Sequence, residues 1–564
     1  MLVGFAVFLP SLRTPFLLDD YLHASMLEGT YPVERGPFDL YDFINDHDRP
    51  VLVERGMLPW WTHPELKVRF FRPLSSALRW LDHQAFGNAP FPAHLHSFAW
   101  WALAVLAVHT LLRRSLAPRA AALASFVFAL APCHTMPLAW LANREALVSL
   151  ALGSVALVAH LRFREPGGRW RDAALATVLF ALALLGGEYA IALGGYVLAR
   201  ELLARGEPLG RRIAGVLPFA VPAAAYLGVR AALGYGTYGS GFYADPFREP
   251  LGFLRDVPRR LATLVTEGWL SLDDDTLVSA TPGWVVALLA LGVVTFLALP
   301  LRRTLLALEP ERRRALGLLL LGSFLALPPM LATMPAPRLL GASMIGIAAA
   351  VGTLLDQVWF PVAGAKEGPR LARELAGLAA LGLGFAHLVH GPLTSLFVGE
   401  RFRRFSAEFR GHADDLRARI GAHEGKQVMV LRAAGASFFL PFALDERGTP
   451  PWRWRALSHT GHVLMLARDR RTFDLVVPED QGLFPSEPGN LFRDWRDPLA
   501  PGSVYTVPGV RVTVLEVGRR GPRAARYELD RDWDDPALAW ITEGAAGFPE
   551  AELPEPGYGK PFDP

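Results

Sequence analysis

The chain has 564 residues, 51% of them hydrophobic and 20% charged, with a mean hydropathy of +0.24. This is far too apolar for a water-soluble protein of that size, and several apolar stretches reach the ~20 residues needed to cross a bilayer. The formal net charge of +3 is small and its basic residues are scattered over loops, with no basic block interleaved with aromatics, which argues against a nucleic-acid partner.

Cys133 is the single cysteine, so no intrachain disulfide can form. Nearly all cations are arginine, a bias that together with abundant Ala, Leu and Gly points to a GC-rich bacterial genome. The apolar segment Met1–Pro10 covers about half a membrane and lacks the basic start and cleavage site of a signal peptide. It reads as a first transmembrane helix truncated at its N-terminus.

Ten further spans follow: Ala93–Leu112, Ala120–Met136, Ala142–Leu161, Asp172–Leu185, Tyr189–Leu203, Ile213–Leu233, Gly283–Leu301, Ala315–Met330, Leu339–Leu355 and Leu371–Val389. Alternate connections carry the arginines. They are Arg113, Arg114 and Arg119; Arg162–Arg171; Arg200, Arg205, Arg211 and Arg212; Arg302–Arg314; and Lys366, Arg370 and Arg373. Short arginine-rich loops stay cytoplasmic. The expected architecture is therefore an α-helical polytopic membrane protein of about eleven spans, N-terminus inside and C-terminus outside. Residues 1–399 form the membrane part and 400–564 an extracytoplasmic part.

Two long outer loops are expected, Leu18–Pro92 and Gly234–Pro282. In the second, Leu251, Leu254, Leu261 and Leu264 recur near helical spacing beside Arg255, Arg259 and Arg260, as in a helix lying in the interface plane. Arg401–Arg417 reads as a charged juxtamembrane helix. Beyond it Val463–Ala467, Phe473–Val477 and Val510–Val517 alternate as strands between Pro and Gly turns, predicting a small β-sandwich-like domain.

The chemistry-bearing residues fall on the outer face of this threading. Asp19 and Asp20, adjacent where the chain leaves the first helix, can hold a divalent metal or act as a base, or simply mark a span end among headgroups. Arg72, stiffened by Pro73, can bind phosphate through its planar donors or snorkel. Glu188, in the Gly-Gly break between two apolar half-spans, is costly there unless paired. Arg338 between Pro337 and Leu339 can face a phosphate leaving group or anchor a span end. His134, Asn143, Arg144 and Glu145 flank a turn on that face, where Arg144 and Glu145 can pair with each other. His94 and His96 are potential ligands without a diagnostic spacing. Asp530, Asp532, Asp534 and Asp535 around Trp533 read as a solvated acidic loop or a Ca²⁺ or sugar site.

The ordered series Leu18-Asp19-Asp20-Tyr21, Phe71-Arg72-Pro73-Leu74, Ala93-His94-Leu95, Pro132-Cys133-His134, Ala142-Asn143-Arg144, Gly187-Glu188 and Pro337-Arg338 resembles the membrane glycosyltransferases of the C-type fold. It is closest to their protein O-mannosyltransferase-like branch, over roughly Leu12–Val351. The resemblance implies an enzyme that moves a sugar from a polyprenyl phosphate to an acceptor hydroxyl on a lipid, protein or cell-envelope glycan, with inversion. It implies Asp20 or Asp19 as general base, Arg72 and Arg338 on the lipid phosphate, and Glu188 at the place of a Lys-Glu pair. His134, Arg144 and His94 would support these groups. The lysine of that pair is Gly187 here, and a β-rich domain stands where tetratricopeptide repeats often follow. The expected location is the inner membrane. The competing expectation is a non-catalytic scaffold or glycolipid transporter presenting the C-terminal domain.

Overall fold

The structure, a computed structural model, describes residues 1–204, 206–272, 281–361, 369–420, 426–433, 435–445, 453–484, 490–544 and 547–563. Arg205, Lys366 and the stretch 273–280 of the second expected outer loop lie outside the described residues. The chain forms two compact units that interleave along the sequence. The first comprises Met1–Thr14, Phe71–Tyr235 and Glu249–Arg404; the second comprises Pro15–Phe70, Gly236–Arg248 and Phe405–Pro564.

The first unit is helical. Prolines open five of its helices, Pro73–Phe86, Pro90–Ser115, Pro118–Ala129, Pro250–Leu270 and Pro310–Leu325, where a missing N–H costs nothing and φ is already helical. Six helices among the described residues are long and apolar enough to cross a membrane, which makes this a multi-pass membrane protein. The pair Pro118–Ala129 and Pro132–Ala139, bent by 44°, counts as a seventh if taken as one span. Leu288, Leu291 and Val294 on the helix Gly283–Ala307 are exposed, as a lipid-facing surface requires.

Met1–Pro10 and Tyr189–Leu203 are shorter or broken, whereas Asp172–Leu185 forms a helix as expected. Met1–Pro10 contains the six-residue helix Leu2–Val7 and then the 3-10 turn Leu9–Arg13. Asp172–Leu185 lies in the 17-residue helix Trp170–Gly186. Tyr189–Leu203 divides into the 3-10 segment Glu188–Leu193 and the helix Gly194–Leu203. The break at Gly186-Gly187 falls where the paired glycines place it, between the two half-spans.

Ser343–Trp359 runs through the centre of this unit, with Ser343–Leu355 buried throughout. Small residues make that possible. A Cβ on Gly346 would lie 2.1 Å from the Leu319 carbonyl oxygen, and one on Gly352 2.4 Å from the Ala124 nitrogen. Backbones approach this closely only where side chains are absent. The helix Pro250–Leu270 forms where helical spacing predicts it and exposes Leu251 and Leu254. However, Leu264 and Arg260 are buried, and Arg260 donates to the Leu331 carbonyl at 2.7 Å, so its C-terminal half packs into the bundle.

The second unit contains three sheets. Asp42–Ile44, Lys67–Arg69 and Gly236–Tyr238 form an antiparallel sheet in that order. Six antiparallel strands form another, in the order Gly559–Phe562, Val463–Ala467, Thr472–Val476, Gly521–Leu529, Val510–Gly518 and Val504–Val507. The third is parallel: Leu538–Ile541, Gln427–Val430 and Arg453–Ala456. The C-terminal region is β-rich as expected, but the parallel sheet departs from an antiparallel sandwich. Gln427–Val430 is buried at every position, as parallel strands covered on both faces are, so alternation could not reveal it.

Part of the first long loop belongs to this β-rich unit. Trp60 Nε1 donates to the Leu457 carbonyl at 2.9 Å, and Trp61 stacks on Phe484 with ring centroids 5.0 Å apart. Arg455 donates to the carbonyls of Val53 at 2.7 Å and Glu54 at 2.5 Å, at the C-terminal end of the helix Arg49–Arg55. A cation suits that end of a helix, where carbonyls lack intrahelical partners. Of the acidic cluster, Asp532 pairs with Arg471 at 2.5 Å, Asp534 with Arg470 at 2.7 Å and Asp530 with Arg531 at 3.1 Å. These carboxylates are compensated by arginine and do not fit a Ca²⁺ site.

Candidate functional site

Arg72 precedes the helix Pro73–Phe86 and is held by its neighbours on both sides. Pro73 stiffens the turn, while the Phe71 carbonyl accepts the Tyr226 hydroxyl at 2.9 Å. The guanidinium grips Glu188 through two bonds, Nε to Oε2 at 3.0 Å and Nη2 to Oε1 at 2.5 Å. Its Nη1 donates to Glu145 Oε1 at 3.1 Å. One cation thus bridges two carboxylates, both of which need a partner in a buried setting.

Glu188 opens the 3-10 segment directly after the helix Trp170–Gly186. The break exposes carbonyls that serines satisfy. Ser75 Oγ donates to Gly186 O at 2.6 Å, and Ser149 Oγ lies 3.0 Å from Gly187 O. The costly carboxylate in the Gly-Gly break is therefore paired, and the break itself is built into the fold.

Arg144 and Glu145 do not pair with each other. Arg144 forms a buried ion pair with Asp82, and donates to Ala93 O at 2.6 Å and to Ser97 Oγ at 2.8 Å. Trp100 Nε1–H donates to His96 Nε2 at 3.0 Å, so His96 carries its proton on Nδ1 and donates it to Asp82 Oδ1 at 2.8 Å. Asp82, on the helix Pro73–Phe86, escapes the motif reading. Its signal is that it is the single acidic residue between Glu65 and Glu145.

The histidines are structural in their contacts. Both ring nitrogens of fully buried His94 face backbone carbonyls, Leu138 O and Thr14 O, each at 2.9 Å. His134 Nε2 donates to Phe128 O at 2.9 Å. Neither is arranged as a metal ligand. Among the described residues no group of three or more His, Cys, Asp or Glu side chains is placed to hold a metal ion. Glu145 and Glu188 already share Arg72, so the residues of this cluster do not fit a divalent cation.

Arg338 differs from Arg72. It sits in the 3-10 turn Pro337–Leu340 and has no carboxylate partner among the described residues. Its Nη1 touches the Met136 sulfur at 2.8 Å, its guanidinium lies over the Trp140 ring, and its Nε has no hydrogen-bond partner. It lines a small cleft whose other walls include Cys133, His134, Leu147, Leu150, Tyr189 and Leu339. A half-buried, uncompensated guanidinium at the edge of an apolar cleft is suited to receive an anion attached to an apolar chain.

Asp19 and Asp20 belong to the second unit, whereas Arg72, His94, His134, Arg144, Glu188 and Arg338 belong to the first. Both aspartates sit in the first turn of the helix Asp19–Glu28. Asp20 is fully buried and its Oδ2 accepts the Leu17 N–H at 2.9 Å, while Asp19 is half-buried. Leu18, just before them, has φ +47° and ψ −111°, a conformation costly for a residue with a Cβ. Strain of this kind persists where surrounding contacts over-determine it, and it gathers at functional sites.

Neither a protein-family model nor a curated protein sequence matches the chain. Among solved structures the chain is similar to ArnT from Cupriavidus metallidurans in the apo state, with a TM-score of 0.43, 15% identity, and 80% of this chain and 83% of that chain covered. The same protein bound to undecaprenyl phosphate matches with a TM-score of 0.40, 16% identity and coverages of 81% and 84%. The chain is also similar to the archaeal oligosaccharyltransferase AglB from Archaeoglobus fulgidus, in complex with an inhibitory peptide and a dolichol-phosphate. There the TM-score is 0.41 and identity 13%, with 80% of this chain and 63% of that chain covered.

Proposed function

We propose that the chain is an inverting membrane glycosyltransferase that takes its sugar from a polyprenyl-phosphate donor. The observation that carries this reading is Arg338, without a carboxylate partner among the described residues, on the wall of an apolar cleft in a membrane-spanning unit. Such a site offers a cation to a phosphate and apolar side chains to its hydrocarbon tail. ArnT and AglB were captured with undecaprenyl phosphate and a dolichol-phosphate respectively, and the same ligand class is proposed here on the residues themselves.

In the proposed reaction Asp20 or Asp19 takes the proton of an acceptor hydroxyl, whose oxygen attacks the anomeric carbon of the donor sugar. The bond from that carbon to the phosphate oxygen breaks, and the phosphate leaves with the electron pair. Arg338 stabilises the charge that grows on it. Arg72 is the buried counter-charge of Glu145 and Glu188, and its remaining N–H groups are proposed to face the phosphate. Half-buried Asp19 is the more accessible of the two bases.

The arginine-rich loops support an inner-membrane topology of about eleven spans, with the N-terminus inside and the β-rich region outside. In that topology a lipid donor reaches the cleft laterally from the outer leaflet. The test is to replace Asp19 and Asp20 separately with Asn and measure transfer from a matched polyprenyl-phosphate sugar. Loss of transfer in one variant is expected; full transfer by both would remove the base assignment.

A further inference from the structure

Glu145 Oε2 and Asn143 Oδ1 are buried acceptors with no hydrogen-bond partner among the described residues. Glu145 is 2% exposed and Asn143 4%. The amide orientation of Asn143 is fixed by its neighbour, because Nδ2 lies 2.9 Å from Glu145 Oε1. Turning the amide over would set oxygen against oxygen, so the unpartnered atom is the acceptor. Glu145 Oε1 is already engaged by Asn143 Nδ2 and by Arg72 Nη1 at 3.1 Å.

These two acceptors stand on a rigid mount. The 3-10 turn Leu141–Asn143 runs into Arg144, which is tied to Asp82, Ala93 and Ser97, and then into the helix Glu145–Arg164. Side chains held this firmly cannot turn to find partners elsewhere. Buried acceptors left unpaired carry a desolvation penalty, and native structures hold few of them without a ligand or a special role. The next residues in the chain, Ala146 and Leu147, line the Arg338 cleft, as does Tyr189 beside Glu188. The acceptors call for hydrogen-bond donors. A metal ion is disfavoured by Arg72, whose guanidinium already sits on Glu145.

We propose that Glu145 Oε2 and Asn143 Oδ1, buried next to residues that line the cleft, accept hydrogen bonds from hydroxyl groups of the sugar carried on the lipid phosphate and so form a sugar-recognition subsite beside the cleft. The assignment rests on the donor reading above and goes further, setting an amide–carboxylate pair for the sugar next to the cleft that holds the arginine for the phosphate.

The test uses the full-length protein in lipid nanodiscs, titrated with farnesyl phosphate and with farnesyl phosphate carrying mannose or glucose. A sugar conjugate binds tighter than farnesyl phosphate by about tenfold, the value of roughly one hydrogen bond to a charged acceptor. Asn143→Leu lowers that preference to the part supplied by Glu145 and leaves the affinity for bare farnesyl phosphate unchanged. A series of monodeoxy sugars on the unmodified protein gives a reading independent of how the variant folds. One deoxy position loses about tenfold, and on Asn143→Leu the same position loses nothing more. Equal weakening of both ligands by Asn143→Leu, no preference for either conjugate, or no deoxy effect on the unmodified protein would overturn the subsite. If farnesyl phosphate itself fails to bind, the donor reading falls and the subsite falls with it.

Discussion

Arg72 and Glu188 are 116 residues apart in sequence and meet through two parallel hydrogen bonds, at 3.0 and 2.5 Å. The pair joins the start of the helix Pro73–Phe86 to the break after the helix Trp170–Gly186. Removing the cation strands both Glu188 and buried Glu145. Arg72→Ala therefore destabilises the protein by about 3–5 kcal/mol. Arg72→Lys recovers only part of this, since an ammonium cannot form the planar two-point contact. Thermal unfolding of the full chain in detergent or nanodiscs measures both.

Asp82 and Arg144 offer a second case with a different expected outcome. Each is 3% exposed, and they form a buried pair that supports the turn bearing Asn143 and Glu145. Asp82→Leu alone leaves a buried guanidinium uncompensated and costs about 3–5 kcal/mol. The double variant Asp82→Leu with Arg144→Met restores much of that stability, because apolar replacement of both partners removes the desolvation penalty. If the position of Asn143 depends on this pair, the double variant regains stability while sugar preference stays low.

In the second unit, two left-handed glycines separate strain from collision. Gly29 has φ +74° and open space around it, whereas Gly56 has φ +81° and a Cβ there would sit 1.3 Å from the Trp454 carbonyl oxygen. Gly29→Ala costs about 1 kcal/mol from backbone conformation alone. Gly56→Ala cannot be accommodated without displacing the helix Arg49–Arg55 from the strand Arg453–Ala456. Limited proteolysis of the full chain is expected to cut the 15–70 segment in Gly56→Ala and to leave Gly29→Ala protected.

Asp474 supplies a pH dependence. Burial pushes its carboxyl up, but hydrogen bonds from Arg526 and Arg468 outweigh this and hold it below the usual carboxylate range. A carboxylate whose folded value lies below its unfolded value of about 3.9 stabilises the fold fully above that pH. The contribution is lost as pH falls through the lower folded value. The stability gap between the unmodified protein and Asp474→Asn should therefore be constant near neutrality and shrink only below about pH 4. A gap that shrinks between pH 6 and 8 would assign the dependence to another group.

Membrane character, the helix Pro250–Leu270 and the strands Val463–Ala467 and Val510–Gly518 were legible because length and period report them directly. The Gly186-Gly187 break was legible because two adjacent glycines interrupt the apolar run, but the 3-10 form of Glu188–Leu193 was not. The site residues were legible as types and not as partners. Arg72 carries the donors of a phosphate ligand, yet its neighbours turn it to Glu145 and Glu188. Which of two arginines is compensated depends on contacts 73 and 116 residues away, and no local pattern encodes those. Asp82 was missed for the same reason, since its importance lies in Arg144, 62 residues further on.

The central claim is that Arg338 receives the phosphate of a polyprenyl carrier. The direct measurement is equilibrium binding of farnesyl phosphate to the full-length protein and to Arg338→Gln in nanodiscs of matched composition. Protection of Cys133, the chain's single cysteine and a wall of the same cleft, against a lipophilic maleimide serves as the readout. The account predicts saturable protection in the unmodified protein and a loss of about ten- to hundredfold in affinity for Arg338→Gln, the worth of a charge-assisted contact. Equal protection of both proteins, or none in either, would contradict it.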